Sequence, residues 1–438
     1  MPPVRNNLAS APITTAILQD DYVFVRQGNS VKRITLENFE NSMNAGDAEL
    51  LREVAWGVQC KQHTQSSPQW TAVGNQTMKA EFLSSIGRFL LTNSGKAAKL
   101  SVANSGVFAD GTTLNEALGH VMFISPKKLY YRVVVDAQTG IPTIWWSMLP
   151  IGGHHFRENM TFGAYKGSIS GGALVSRSGV APAGSRTINS FWSAAQVNGK
   201  NFGLIDYEAQ KFMIMLNLMQ FANPNCQANI GYGVGGSVSK DLWGAAASLL
   251  TGATKSLGDA CGKIDISLVN GSNVGENCSR VSLFGIEDAW NWQWEMVQGI
   301  YYGCTGQGHA GTEVFLYEGN RMPSAAELAG TPAGDFRQIS RDTGDGYVRE
   351  MILGEYFDII PSVVGGGSDS YWCDYFYQNK ATGQLGLWGG SANRGPNAGL
   401  GYAYSGDAWS LSDAGVGSRL AYYGPIEFVS GAELVAAA

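Results

Sequence analysis

The sequence predicts an α+β fold, with short, mostly antiparallel strands, two helices and many glycine-rich loops. Three observations carry that expectation. Behind Asp206, the run YEAQKFMIMLNLMQFA sets Phe212, Met215, Leu216 and Met219 in an apolar stripe on one helical face. A second helical pattern, KDLWGAAASLL, covers residues 240–250. Around them, runs rich in β-branched and aromatic residues (VSLFGIED, EVFLYEG and YFDIIPSVV) are separated by loops that draw on 57 glycines in 438 residues.

Length and composition bound the rest. With 44% hydrophobic residues the chain can bury a sizeable core, and its length suits one large domain with one or two small ones. A net charge of −6 argues against a general affinity for nucleic acid or anionic membranes. The first residues, MPPVRNNLASAPITT, lack a basic segment followed by an apolar one, and no run of eighteen apolar residues occurs, so cytoplasmic synthesis without membrane insertion is expected. Six cysteines, none in a C-x-x-C pair, read as buried free thiols. Cys261 and Cys278 flank a short segment that a disulfide would close, but a cytoplasmic origin weighs against it.

In chain order, residues 1–75 read as a small first module. Strand patterns on either side of Gly28-Asn29 form a hairpin, and Asp47 caps a helix AELLREVAWGVQ, in which Leu50, Leu51, Val54 and Ala55 share a face. Hairpin and helix bury little alone, so this module needs neighbouring copies or a docking partner. Residues 76–145 read as a β-rich stem or collar: RFLLTNSGKAAKLSV, then a helix EALGHVM opened by the capping box Thr113-Leu-Asn-Glu116, then LYYRVVV and PTIWWSML around a turn at residues 136–142. Residues 146–438 form the large module.

Within it, residues 371–425 stand out, with eleven aromatics and only six charges. Tyrosine and tryptophan among Ser, Gly, Asn and Asp make a paratope-like composition, in which rigid rings supply contact area and small polar residues adapt. The same composition suits a glycine-rich β-meander whose aromatics fill its own core.

The order of residues here resembles the variable region of proteins diversified by diversity-generating retroelements, which carry a C-type lectin fold. LWGGSANRGPNAG looks like the glycine-rich turn of that region, GYAYSGDAWSLSDAG like its display segment, and VGSRLAYYG like the closing strand, in which Gly417-x-Arg419 anchors the fold. Upstream, MLPIGGHHFRENMTFGAYKG, SRSGVAPAGSRT, the helix after NFGLIDYEAQ, QANIGYGVGG and FGIEDAWNWQWEMVQGIYYG look like phage tail proteins with a lectin-type head. The last is similar to the Gly-Asn-Val-Trp-Glu-Trp motif of the formylglycine-generating branch of that fold. The likeness covers roughly two thirds of the chain, and the leading hairpin and helix are similar to the first segments of phage tail proteins.

The resemblance implies a lectin-type receptor-binding domain over residues 146–438, with its variable region at about 369–425, behind a virion-attachment module and a stem. It implies a homotrimer in the virion, at a tail tip or fibre, that meets a protein or glycan receptor on the bacterial host and joins other tail proteins through residues 1–75. The receptor-binding residues it implies are Asp369, Tyr371, Tyr375, Tyr377, Asn393, Arg394, Tyr402, Tyr404, Asp407, Trp409, Ser412 and Asp413. Strand alternation would set Tyr402 beside Tyr404 and Asp407 beside Trp409. Two departures narrow the chemistry. Where the formylglycine-generating relatives carry a catalytic cysteine just after Gly-x-Arg, this chain has Leu420, and the Glu-Pro-Asn, Gln-Pro-Asp and Trp-Asn-Asp motifs of calcium-dependent lectins are missing. A binding protein without cofactor is expected, not an enzyme.

Other candidate chemistries are weaker. His154 and His155, near Arg157 and Glu158, suggest a metal or acid/base cluster, yet adjacent residues of a strand point to opposite faces and no third ligand stands at a recognisable spacing. Trp290, Trp292 and Trp294 alternate and suit either a sugar platform or core packing, the latter favoured. Glu287, Asp288 and Glu295 are the acids that a tail-borne glycan depolymerase would use, although nothing in their spacing sets two carboxyls across a cleft. A bacterial surface adhesin is the remaining alternative, disfavoured by the missing signal segment.

Overall fold

The computed structural model describes residues 13–19, 22–27, 30–35, 48–60, 70–237, 242–268, 278–303, 313–317, 336–340, 344–354, 356–379 and 383–437. It is a mixed α+β structure in which strands predominate and the sheets curl. The expected hairpin forms: Tyr22–Gln27 and Ser30–Thr35 pair antiparallel with Gln27 opposite Ser30, and Ile13–Gln19 adds a third strand. Its turn residues, like Asp47, lie outside the described residues.

The first helix is shorter than its apolar pattern predicts. It spans Ala48–Val54 (α1), and Trp56–Gln59 leaves it as a strand. Two partners take that strand into a sheet, Thr71–Gly74 on one side and Pro142–Ser147 on the other, with Trp56 opposite Trp146. Gly57 makes the approach possible, since a Cβ there would lie 2.4 Å from Ile144 O. Tyr130–Val135 and His154–His155 complete this five-stranded sheet. The boundaries expected at 75 and 145 therefore both fall within one hydrogen-bonded sheet, and Pro142–Ser147 itself runs across the second.

The stretch expected to be a β-rich stem opens with a helix that the sequence pattern did not reveal, Gln76–Ser85 (α2), capped by Asn75 and anchored by buried Met78 and Phe82. The expected helix at EALGHVM is instead one 3-10 turn, Glu116–Leu118, capped by Asn115. Glu116 does not fold back as a capping box would. Its carboxylate accepts from Ser178 N–H and Oγ and from Lys255 Nζ, and the next residues enter a wholly buried strand, His120–Ser125. That strand lies in a seven-stranded sheet that also takes Leu420–Tyr422, so the segment just after Arg419 is stitched to residues 87–163.

The helix expected behind Asp206 forms over Tyr207–Phe221 (α4), with Asp206 as its N-cap, following Ile188–Gln196 (α3), which the sequence pattern did not reveal. The stripe read on α4 is only part of what it buries: Met213, Ile214, Leu218, Gln210 and Asn217 are buried too. Gln210 and Asn217 survive there because their amides donate to Leu400 O and Asn223 O. The second expected helix shrinks to one turn, Trp243–Ala246, with Lys240 and Asp241 outside the described residues.

α4 packs against the largest sheet, which among the described residues has nine strands. Its main strands are β1 (Trp294–Tyr302), β2 (Glu313–Tyr317), β3 (Phe336–Ser340), β4 (Gly346–Ile352), β5 (Ile360–Val364), β6 (Tyr375–Gln378), β7 (Gln384–Gly389) and β8 (Gly399–Ala408). They run in the order β3-β2-β1-β7-β8-β6-β4-β5, with Val416–Gly417 parallel to β1. All pairs in that order are antiparallel except β6 with β8, which puts Tyr377 level with Tyr404.

Candidate binding face

The anchor comes first because it fixes the strands that carry the face. Arg419 is fully buried, and its guanidinium donates to Glu295 Oε1 (2.6 Å), Gly163 O, Ala164 O, Glu287 O and Asp288 O. Five N–H groups meet five acceptors, which is what a buried arginine requires. Lys166 Nζ joins Glu295 at 2.6 Å, and Arg280 pairs with Glu287 and Asp288 while lying 4.2 Å over the Trp292 ring. Burial pushes Glu295 up, but Arg419 and Lys166 outweigh it and hold the carboxyl below its ordinary range. Burial likewise brings Lys166 down to about 8, against the pull of Glu295.

Glu287, Asp288 and Glu295 are thus 1%, 0% and 2% exposed and ion-paired inside the scaffold. The three tryptophans beside them are core residues, each in a different apolar cluster, with Trp290 Nε1 donating to Gly231 O and Trp292 Nε1 to Ala246 O. Of the three only Trp294 lies on a strand that continues, and it forms the floor of the face described next.

On the side of the sheet away from α4, a row of rings runs across four strands. Tyr347 meets Tyr375 edge-on (5.4 Å), Tyr375 meets Tyr402 (5.9 Å), Tyr402 and Tyr404 both pack on Trp294 (4.7 and 5.5 Å), and Tyr404 stacks on Tyr377 at 4.7 Å and 15°. The parallel pairing of β6 with β8 creates the last contact. Gly406 keeps it flat, because a Cβ there would lie 2.5 Å from Tyr404 Oη and 2.7 Å from the Tyr377 ring. Arg394 sits about equally far from the Trp294 and Tyr404 rings (5.8 and 6.0 Å), and Tyr347 Oη donates to Asn397 Oδ1 at 2.6 Å. Burial and the nearby Asp413 push the Asp407 carboxyl up, while Arg394 pulls it down.

Tyr375, Tyr377, Tyr404, Arg394 and Asp407 therefore come together as half-buried groups, with Asp413 at the edge, and Asp369 lies near enough to Tyr347 to contribute to the rise of its phenol after burial and Asp374. Asn393 and Ser412 are exposed beside them, and Tyr371 is half-buried in a left-handed backbone conformation (φ 58°). Two expected members differ. Tyr402 does sit beside Tyr404, but it is 1% exposed and belongs to the core, because Trp294, Tyr375 and Ala398 enclose it. Trp409 lies past the end of β8, so the alternation that would align it with Asp407 has stopped, and its ring stacks on Tyr301 at 4.9 Å.

No protein-family model matches the chain, and no curated protein matches its sequence. The chemistry of the face stands on its side chains. Phenols, one guanidinium and two carboxylates on an aromatic floor offer apolar contact and hydrogen bonding together. Sequence reasoning missed Tyr347 and Asn397. Tyr347 sits in GDGYVREM, an alternating strand pattern whose place beside β6 depends on pairing that no local spacing encodes.

The remaining candidates sit elsewhere. His154 stacks on Tyr356 (3.8 Å), while exposed His155 accompanies Tyr130, and among the described residues no group of three His, Cys, Asp or Glu could hold a metal ion. Neither Cys261 nor Cys278 takes part in a disulfide, so the bridge that would close the segment between them does not form.

Proposed function

We propose that the chain is a phage tail receptor-binding protein whose C-terminal part forms a C-type lectin-like head, diversified over residues 369–425 to bind varied receptors on the bacterial surface. The observation that carries this reading is the half-buried tyrosine row of β4, β6 and β8, presented on strands whose anchor, Arg419, is wholly internal. Such a division lets surface residues change while the scaffold keeps its packing and its ion pairs. The acids that a depolymerase would need are spent on Arg280, Lys166 and Arg419, which favours binding over hydrolysis. The chain works without a cofactor, in the virion, as a homotrimer joined to other tail proteins through its first module.

Two measurements test the reading. Particles carrying Tyr377→Ala with Tyr404→Ala should assemble and adsorb poorly to the original host, and unimpaired adsorption would move the receptor contacts elsewhere. A near-identical template repeat and a reverse transcriptase gene beside the coding sequence would support diversification, and their absence would remove it.

A further inference from the structure

A second concave site lies on the α4 side of the large sheet. Successive residues of β8 face apart, so Ala403, which packs in the cluster of α4, and Tyr404 point in opposite directions. The cavity measures about 320 Å³, and its walls include His154, His155, Arg157, Glu208, Lys211 and Tyr356. That volume is at the small end for ligand sites and suits one sugar-sized molecule.

Its charges are mostly committed. Arg157 Nη1 pairs with Asp206 and Glu208, and its guanidinium lies 4.7 Å over the Tyr423 ring. Arg337 pairs with Asp358 and covers the Tyr356 ring at 4.3 Å, opposite a stacked contact of Tyr356 with His154. Lys211 differs. Among the described residues its Nζ donates to one acceptor, Tyr356 O at 3.3 Å, and no carboxylate lies within ion-pair distance. Two ammonium N–H groups remain for a ligand, in a partly buried setting where the nearby carboxylates of Glu208, Asp358 and Asp206 act on the charge without touching it. Burial accordingly holds its pKa below the ordinary lysine value, against the raising effect of Glu208 and Asp358.

We propose that this cleft binds a single sugar acid, with its carboxylate on Lys211 Nζ and its hydroxyls on the one-third-exposed Glu208 carboxylate and the cleft's tyrosine and histidine edges. Among the described residues Lys211 is the cation here with no carboxylate in contact, and its single ammonium suits a singly charged group. A phosphate, carrying about −1.5 to −2 charge, would be under-neutralised there. The site is built from residues outside the tyrosine row, so it does not depend on the receptor reading.

The test uses the full chain and saturation-transfer NMR with D-glucuronate, methyl glucoside and inorganic phosphate. Glucuronate should bind saturably, and the other two at least about tenfold more weakly. Lys211→Met should weaken glucuronate by about tenfold or more, as should His155→Asp, an exposed change that adds a negative charge at the mouth without touching the core. Tyr404→Ala should leave glucuronate binding unchanged whatever it does to host adsorption. No saturable glucuronate binding, equal binding of glucoside or phosphate, or an undiminished response in both cleft variants would overturn the proposal.

Discussion

Tyr402 and Tyr404 are two positions apart on one face of β8, and burial alone separates their roles. Tyr404→Ala removes half of a stacked pair at the surface and should cost about 1 kcal/mol of stability, while receptor affinity falls about thirtyfold, on the order of 2 kcal/mol. Tyr402→Ala opens a cavity between Trp294 and Tyr375 and should cost about 3–5 kcal/mol in urea denaturation. Arg419→Ala should destabilise by about as much, since it strips a donor from the buried Glu295 carboxylate and from four backbone carbonyls, of which Ala164 O keeps the Glu287 N–H. Equal stability losses for Tyr402→Ala and Tyr404→Ala would contradict the burial difference. Asp374 adds a pH signature. Its buried carboxyl accepts from Gly401 N–H, yet burial raises its pKa well above 3.8. Between the unfolded and folded pKa values the native state binds the extra proton, so stability falls as pH rises through that window. Asp374→Asn keeps the acceptor and removes the titration. It should be more stable than the parent at neutral pH and lose that advantage below about pH 3.8, as read from denaturation midpoints across pH.

At the scale of elements, the flat Tyr377–Tyr404 stack depends on Gly406, so Gly406→Ala should lift both rings and reduce binding while the melting temperature shifts by only a few degrees. A melting point that collapses would mean the added methyl distorts β8 itself. The same elements show what could be read from sequence. α4 was legible because an Asp precedes a long apolar run, whereas the anchoring Gly-x-Arg of residues 417–419 was expected from the resemblance alone, and nothing local in the sequence says that Arg419 is buried. The strand at Trp56–Gln59 was not. Its residues continue the helical spacing of α1, and only pairing with Thr71–Gly74 and Pro142–Ser147 overrides it. Thr113 to Glu116 has capping-box spacing, but long-range acceptor duty toward Ser178 and Lys255 outcompetes the local hydrogen bond. The face suffered likewise: tyrosines spaced by two announce a shared side, but which of them reach solvent depends on Trp294, remote from β8 in sequence.

For the whole molecule the outstanding quantity is the number of chains. The three strands at Ile13–Thr35 form a sheet of only 19 residues, 7, 6 and 6 in each strand, whose first strand lies against α1 and α2. A small three-stranded sheet gains burial by assembling around an axis, and threefold closure satisfies it without open-ended growth. Trimerisation would also change how the tyrosine row works. A face of a few half-buried rings binds weakly alone, but three copies held on one axis convert the second and third contacts into intramolecular events, raising avidity by about a hundredfold or more. Light scattering on the intact chain should therefore give three times 46.8 kDa at micromolar concentration, and the assembled protein should bind host cells far more tightly than a variant truncated before Ala48. A monomer mass across that range would remove the avidity argument and require each tyrosine face to hold its receptor unaided.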